Sequence, residues 1–169
     1  MGVALSGALV VLVIVGGFFA VRFVAEGTMG QCAPSWLTGT DPQLCVDASV
    51  SRGTLTVSGS TSLPDGAIVT VWADSSGTGY DQYQTTGPAP AIVSGGVFRR
   101  TFDVSNWGAG TIVVTAQFAI TSDQPRSLID RYGWGGEGLR GPDVRPDYER
   151  GQPPPMDVRS SVQVDLSAA

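Results

Sequence analysis

Residues 54–73 read TLTVSGSTSLPDGAIVTVWA. Leu55 and Val57 alternate with Thr54, Thr56 and Ser58, the period-2 pattern of a strand with one buried face. Leu63-Pro64-Asp65-Gly66 then interrupts the pattern, because Pro presets φ for a turn and Gly supplies a positive φ. Ala67–Ala73 follows as a β-rich, nearly all-apolar run, as expected of a central strand. A strand, a tight turn and a second strand within twenty residues set the expectation of a mainly β, antiparallel fold.

The same alternation extends outward. Phe98, Phe102 and Val104 share one face of a run, and Ile112, Val114, Ala116, Phe118 and Ile120 share one face of another. Met156, Val158, Val162, Val164 and Leu166 repeat the pattern near the end, with Ser160 as its polar exception. Ser76-Gly77, Ser94-Gly95-Gly96 and Trp107-Gly108-Ala109-Gly110 mark turns between these runs. Gln82–Ala91 reads as an edge or connection, since Pro88 and Pro90 cannot join a central ladder. Gly and Pro, 23 and 11 residues, make up a fifth of the chain, which suits short strands joined by tight turns. No stretch beyond residue 27 has helical periodicity. The expected architecture is an antiparallel Ig-like β-sandwich of about seven strands over residues 46–169, preceded by one N-terminal transmembrane helix.

The runs Thr54–Val71 and Gly95–Phe118, with Gly138-Leu139-Arg140-Gly141-Pro142-Asp143-Val144, carry a resemblance. They look like an exported bacterial Ig-like or fibronectin-III-like sandwich module on a single-pass membrane anchor. The likeness spans residues 46–166 and consists of turn chemistry. It implies a β-sandwich outside the cytoplasm and no catalytic residues.

Residues 3–21, VALSGALVVLVIVGGFFAV, contain no charge. As a helix they span about 28 Å at ~1.5 Å per residue, close to the ~30 Å core of a bilayer. Arg22 follows and can snorkel to the headgroups. A cleaved signal is disfavoured, because no basic region precedes the span and Phe23 stands in the −3 position to Ala25. A lipoprotein reading at Cys32 fails on Gln31, where a small residue is required. Residues 1–26 are therefore expected to be an uncleaved anchor in the lipid bilayer. Ala4 and Ala8, then Gly16 and Ala20, recur four apart and offer a face for helix–helix packing.

Residues 27–45 form the expected neck. Cys32 and Cys45 are the only cysteines, with twelve residues between them, including Pro34, Gly39 and Pro42. In an oxidising compartment this turn-rich spacing predicts a disulfide. A metal or redox role would need a Cys-x-x-Cys spacing or further ligands.

Composition excludes much chemistry. All ten cationic residues are Arg, and the chain has neither His nor Lys. That removes His-based triads, His-ligated metals, Schiff bases and the Walker lysine. The net charge of −5 and the lack of a basic run argue against nucleic acid. No cofactor, metal or small-molecule substrate is expected. Asp74 and Asp81 flank a loop rich in oxygens, but the spacing is not that of a calcium loop. No spacing singles out a carboxylate pair for glycoside hydrolysis.

The long insertion 121–156 between two strong strands stands out. It holds five of the ten arginines against six acidic residues, so the sequence predicts no phosphate or membrane patch there. Leu128, Ile129, Tyr132, Trp134, Leu139, Val144 and Tyr148 are available for packing. Arg beside Tyr and Trp is the composition of interface hot spots, which nominates Arg131, Tyr132, Trp134, Arg140 and Tyr148 for partner binding. Gly133, Gly135 and Gly138 match G-x-G-x-x-G, but no βαβ unit precedes them and Gly141-Pro142 follows where a helix should run. Pro153-Pro154-Pro155 reads as a short polyproline spacer.

The expected function is non-catalytic: a membrane-anchored extracytoplasmic module for protein–protein docking or envelope structure. Two alternatives stay open. One is a subunit of a pilin-like or archaellin-like surface filament with the apolar helix in its core. The chain departs from the pilin pattern in lacking a basic leader before a processing Gly. The other is a single-pass accessory subunit of a larger membrane complex.

Overall fold

The computed structural model describes residues 41–76, 83–141, 143–148 and 155–166. The apolar segment 1–26, with Ala4, Ala8, Gly16 and Ala20, lies outside them, as does Cys32. Among the described residues no helix is long and apolar enough to cross a membrane. In chain order the elements are β1 (Leu44–Ser51), β2 (Thr54–Thr61), β3 (Ile68–Ser76), β4 (Ala89–Ile92), β5 (Val97–Asp103), β6 (Gly110–Ala119), α1 (Arg126–Tyr132), β7 (Val144–Pro146) and β8 (Met156–Leu166).

The strands form two antiparallel sheets, ordered β1-β2-β5 and β4-β3-β6-β8-β7. Alternation along each strand explains why they pack face to face. Leu55 and Val57 of β2, Val69, Val71 and Ala73 of β3, and Ile112, Val114, Ala116 and Phe118 of β6 are all buried in one core. Their odd-out neighbours, such as Thr56, Thr70 and Thr115, are less buried. β3 is central, as its apolar run predicts, and β4 with Pro90 is an edge.

Three features depart from the sequence reading. Eight strands are present among the described residues where about seven are expected. The first begins at Leu44, so Cys45 lies inside β1 opposite Ser60 rather than in a neck ahead of the sandwich. The period-2 signal is weak there because Val46, Ala48 and Val50 are only partly buried against the core. The insertion also has structure of its own, in α1 and β7; at 7 and 3 residues they are too short to show a period.

Turn chemistry sets the registers. Arg52 and Gly53 both take positive φ, 49° and 73°, in the two-residue β1–β2 turn. This is the φ signature of a type I′ hairpin. Gly95 and Gly96 do the same at 60° and 74° before β5, and the Gly95 N–H donates to Asp65 Oδ1 at 2.7 Å.

The two ends of the sandwich differ. Leu44 at the start of β1 pairs with Thr61 at the end of β2, and Ser60 pairs with Val97 at the start of β5. Ile68 at the start of β3 pairs with Ile92 at the end of β4, and Ala119 at the end of β6 pairs with Asp157. Cross-links join these termini: the Thr61 N–H donates to Gly96 O and the Gly66 N–H to Val93 O. The chain thus enters the fold at the end from which the insertion projects. The opposite end carries the Arg52-Gly53 turn and the pairing of Gly110 with Leu166.

Candidate interaction surface

Gln124 fixes the root of the insertion. Its side chain is buried and acts as a piece of ladder. The Ile68 N–H donates to Oε1 at 3.0 Å, and Nε2 donates to Ile68 O at 2.8 Å and to Ala119 O at 2.9 Å. Backbone groups at the ends of β3 and β6 are thereby satisfied where the chain leaves the sheet. Pro125 then starts α1, with the Leu128 and Ile129 N–H groups donating to its carbonyl. Proline suits a helix start, since it has no N–H to leave unpaired.

One face of α1 joins the core through Leu128, Ile129 and Tyr132. Tyr132 sits edge-on to Phe118, with ring centroids 6.1 Å apart at 75°. It is 4% exposed, which corrects its nomination as a partner-binding residue. Spacing explains the outcome: Tyr132 lies three and four residues after Ile129 and Leu128, on the same helical face. Burial pushes its phenol above the ordinary value, and Arg131 beside it partly offsets this.

The glycines after α1 fold the chain back on itself. Gly133 has φ 79°, and its N–H donates to Ile129 O at 2.8 Å. The Gly138 N–H returns to Tyr132 O at 2.8 Å, and Leu139 is buried. Gly136 has φ 72°, and a Cβ there would lie 2.6 Å from Met156 O. The Gly135 N–H donates to the carboxylate of Glu137 at 3.2 Å. This G-x-G-x-x-G spacing therefore serves close backbone packing, and the loop's own carboxylate accepts from the Gly135 amide.

The other four nominated residues of the insertion are exposed. Trp134 is 58% exposed, with the Arg126 guanidinium 5.9 Å from its ring centre. Arg126 also pairs with Asp130 at 2.9 Å, one helical turn on. Arg131 lies 5.2 Å from the ring centre of Tyr132. Arg140 Nη1 donates to Glu137 O at 2.5 Å and Leu139 O at 2.7 Å. Tyr148 is 68% exposed. Buried apolar residues anchor this surface from beneath, and aromatic and arginine side chains cover it.

A second set of residues had no clear sequence signal. Gln117 of β6 and Asp157 and Arg159 of β8 have the opposite parity to the core-facing residues, so they lie on the outer face of their sheet. The insertion covers that face with Asp147. Asp147 and Asp157 are 3% and 1% exposed. Arg159 Nη2 stands 3.3 Å from Asp147 Oδ1 and 2.9 Å from Asp157 Oδ2, and its Nε donates to the same Asp157 oxygen at 2.9 Å. Gln117 Nε2 donates to both carboxylates. Asp157 Oδ1 is buried with no hydrogen-bond partner. Asp and Arg two apart on one strand face were the only hint, and such pairs are ordinary on solvent-facing strands.

Among the described residues no group of three or more His, Cys, Asp or Glu side chains is placed to hold a metal. Cys45 sits within β1, and no free cysteine occurs among the described residues. Comparison with family models, with characterised proteins and with solved structures finds no match to this chain.

Proposed function

We propose that this chain is a non-catalytic module of the cell envelope, anchored by residues 1–26 and docking through the end of the sandwich built from the insertion. The finer fold reading is Ig-like. A three-stranded sheet β1-β2-β5 facing β4-β3-β6-β8, with the chain crossing between sheets from β4 to β5, follows the Greek-key logic of that fold. Residues 3–21 supply the membrane span, with Ala4, Ala8, Gly16 and Ala20 as its packing face. The sandwich stands outside the cytoplasm, and Cys32 bonds to Cys45 at the start of β1.

The observation that carries docking is the build of the insertion. Leu128, Ile129, Tyr132 and Leu139 are buried, while Trp134, Tyr148, Arg131 and Arg140 are left exposed. Large aromatic side chains held outward on a packed support suit recognition of another surface.

Solvent access to Trp134 tests the reading. In the full chain, hydroxyl-radical footprinting should find Trp134 and Tyr148 shielded in native membranes and open after detergent extraction. Equal reactivity in both would overturn docking. A polymer in the detergent-extracted size profile would favour the filament alternative.

A further inference from the structure

We infer that the insertion end of the sandwich faces the bilayer and that its exposed aromatic and aliphatic side chains rest in the lipid headgroup layer. This rests on the anchored reading proposed above and names the surface that is docked.

The path of the chain is the first argument. Asp41 and Pro42 lie against the insertion: a Cβ on Gly141 would be 3.3 Å from Asp41 Cβ and 3.9 Å from Pro42 O. Only residues 27–40 connect this point to the anchor, a reach of at most ~50 Å when fully extended. A bond from Cys32 to Cys45 shortens the tether to six residues, ~21 Å, plus a Cα separation of ~6 Å. The end where β1 begins is thereby held near the membrane.

The distribution of exposed apolar surface is the second and independent argument. Five large hydrophobic side chains are exposed among the described residues: Tyr83, Ile92, Val97, Trp134 and Tyr148. Ile92 closes β4 and Val97 opens β5, and Trp134 and Tyr148 belong to the insertion. These four share the end where the chain enters, whereas Tyr83 bonds to Asp74 toward the other end. Trp and Tyr with a polar tip and an apolar body are the side chains that settle at membrane–water interfaces.

Charge does not drive this contact. The insertion has six acidic residues against five arginines, and although Asp147 is buried, Asp123, Asp130 and Glu137 stay exposed with Arg131 and Arg140. The surface is therefore an aromatic and aliphatic contact, distinct from the charged patch that the sequence argues against.

The test uses the full chain in vesicles of phosphatidylcholine and phosphatidylglycerol, with and without lipid brominated at the top of its acyl chains. Bromination should quench tryptophan emission, and in a Trp36→Phe background, which clears the tether of indole, Trp134→Phe should remove at least half of that quenching. Adding Arg52→Trp to this variant places an indole at the far end, which bromolipid should leave unquenched. If Trp134→Phe leaves quenching unchanged, or if the indole at position 52 is quenched as strongly, the orientation is overturned. Trp134 shielded in native membranes yet unquenched in these vesicles would keep docking and overturn the lipid surface in favour of a protein. Extraction of the chain from vesicles by alkaline carbonate would overturn the anchoring itself.

Discussion

Arg159 of β8 reaches Asp147 of the insertion, 3.3 Å away, across the outer face of the sheet. The same guanidinium holds Asp157, so one cation serves two carboxylates that are almost wholly buried. Breaking such a pair from one side is costly, because the partner charge stays buried. Arg159→Ala should therefore destabilise the domain by about 3 kcal/mol, the low end for a buried pair, since Arg159 itself is a third exposed. Arg159→Lys should recover little, because Nε and Nη2 act together as a fork that an ammonium cannot reproduce. Urea denaturation of both variants checks this.

Gln124 provides a second tie. Its amide satisfies one N–H and two carbonyls at the ends of β3 and β6. Gln124→Ala leaves these groups to whatever water can reach them, at about 1–3 kcal/mol for a buried group left unpaired. Gln124→Glu should be no better, since a carboxylate cannot donate to Ile68 O and Ala119 O. Hydrogen exchange would locate the loss: the Ile68 amide should lose protection before the amides at the centre of β3 do.

These two ties also mark where sequence reading stops. The alternation of Leu55 and Val57, the run Ala67–Ala73 and the series Ile112 to Ile120 made the strands and their inward faces legible, because period 2 on one apolar face is a local property. Leu63-Pro64-Asp65-Gly66 and Ser94-Gly95-Gly96 were legible as turns for the same reason. Asp147, Asp157, Arg159 and Gln117 were not, since they meet only after β6, β7 and β8 pair across tens of residues. Tyr132 was misjudged on composition. Arg and aromatic residues together suggested an interface, while its helical register with Leu128 and Ile129 sends its ring inward. Trp134, Arg131, Arg140 and Tyr148, nominated on the same composition, are exposed.

Arg52 takes φ 49°, the one positive value among the described residues that are not glycine. The β1–β2 turn needs positive φ at both central positions, and Asn-Gly is the pair that adopts it most readily. Left-handed backbone costs an ordinary side chain roughly 1–2 kcal/mol, and Asn relieves part of that. Arg52→Asn should thus raise stability by roughly 0.5–1 kcal/mol, within the range seen for backbone-compatible turn changes. Thermal unfolding should show a higher midpoint for Arg52→Asn and a lower one for Arg52→Val, whose branched Cβ resists this conformation.

Alkaline pH probes the packing of Tyr132. Below its ordinary value of 10.0 the phenol is neutral in folded and unfolded chains alike, and its burial carries no electrostatic cost. Burial raises the folded value, so above pH 10 the unfolded chain releases the proton first. Stability is fully present below about 10 and is lost as pH rises toward and through the folded value. The chain has no Lys, so few other groups titrate in this window. Tyr83 does so in the same direction, because its hydroxyl donates to Asp74, but it is exposed. Tyr132→Phe should keep the ring against Phe118 and flatten the alkaline decline, with Tyr83→Phe as the matched control. Denaturation midpoints between pH 8 and 11.5 would decide it, and a decline unchanged in Tyr132→Phe would place the phenol in solvent rather than beneath the insertion.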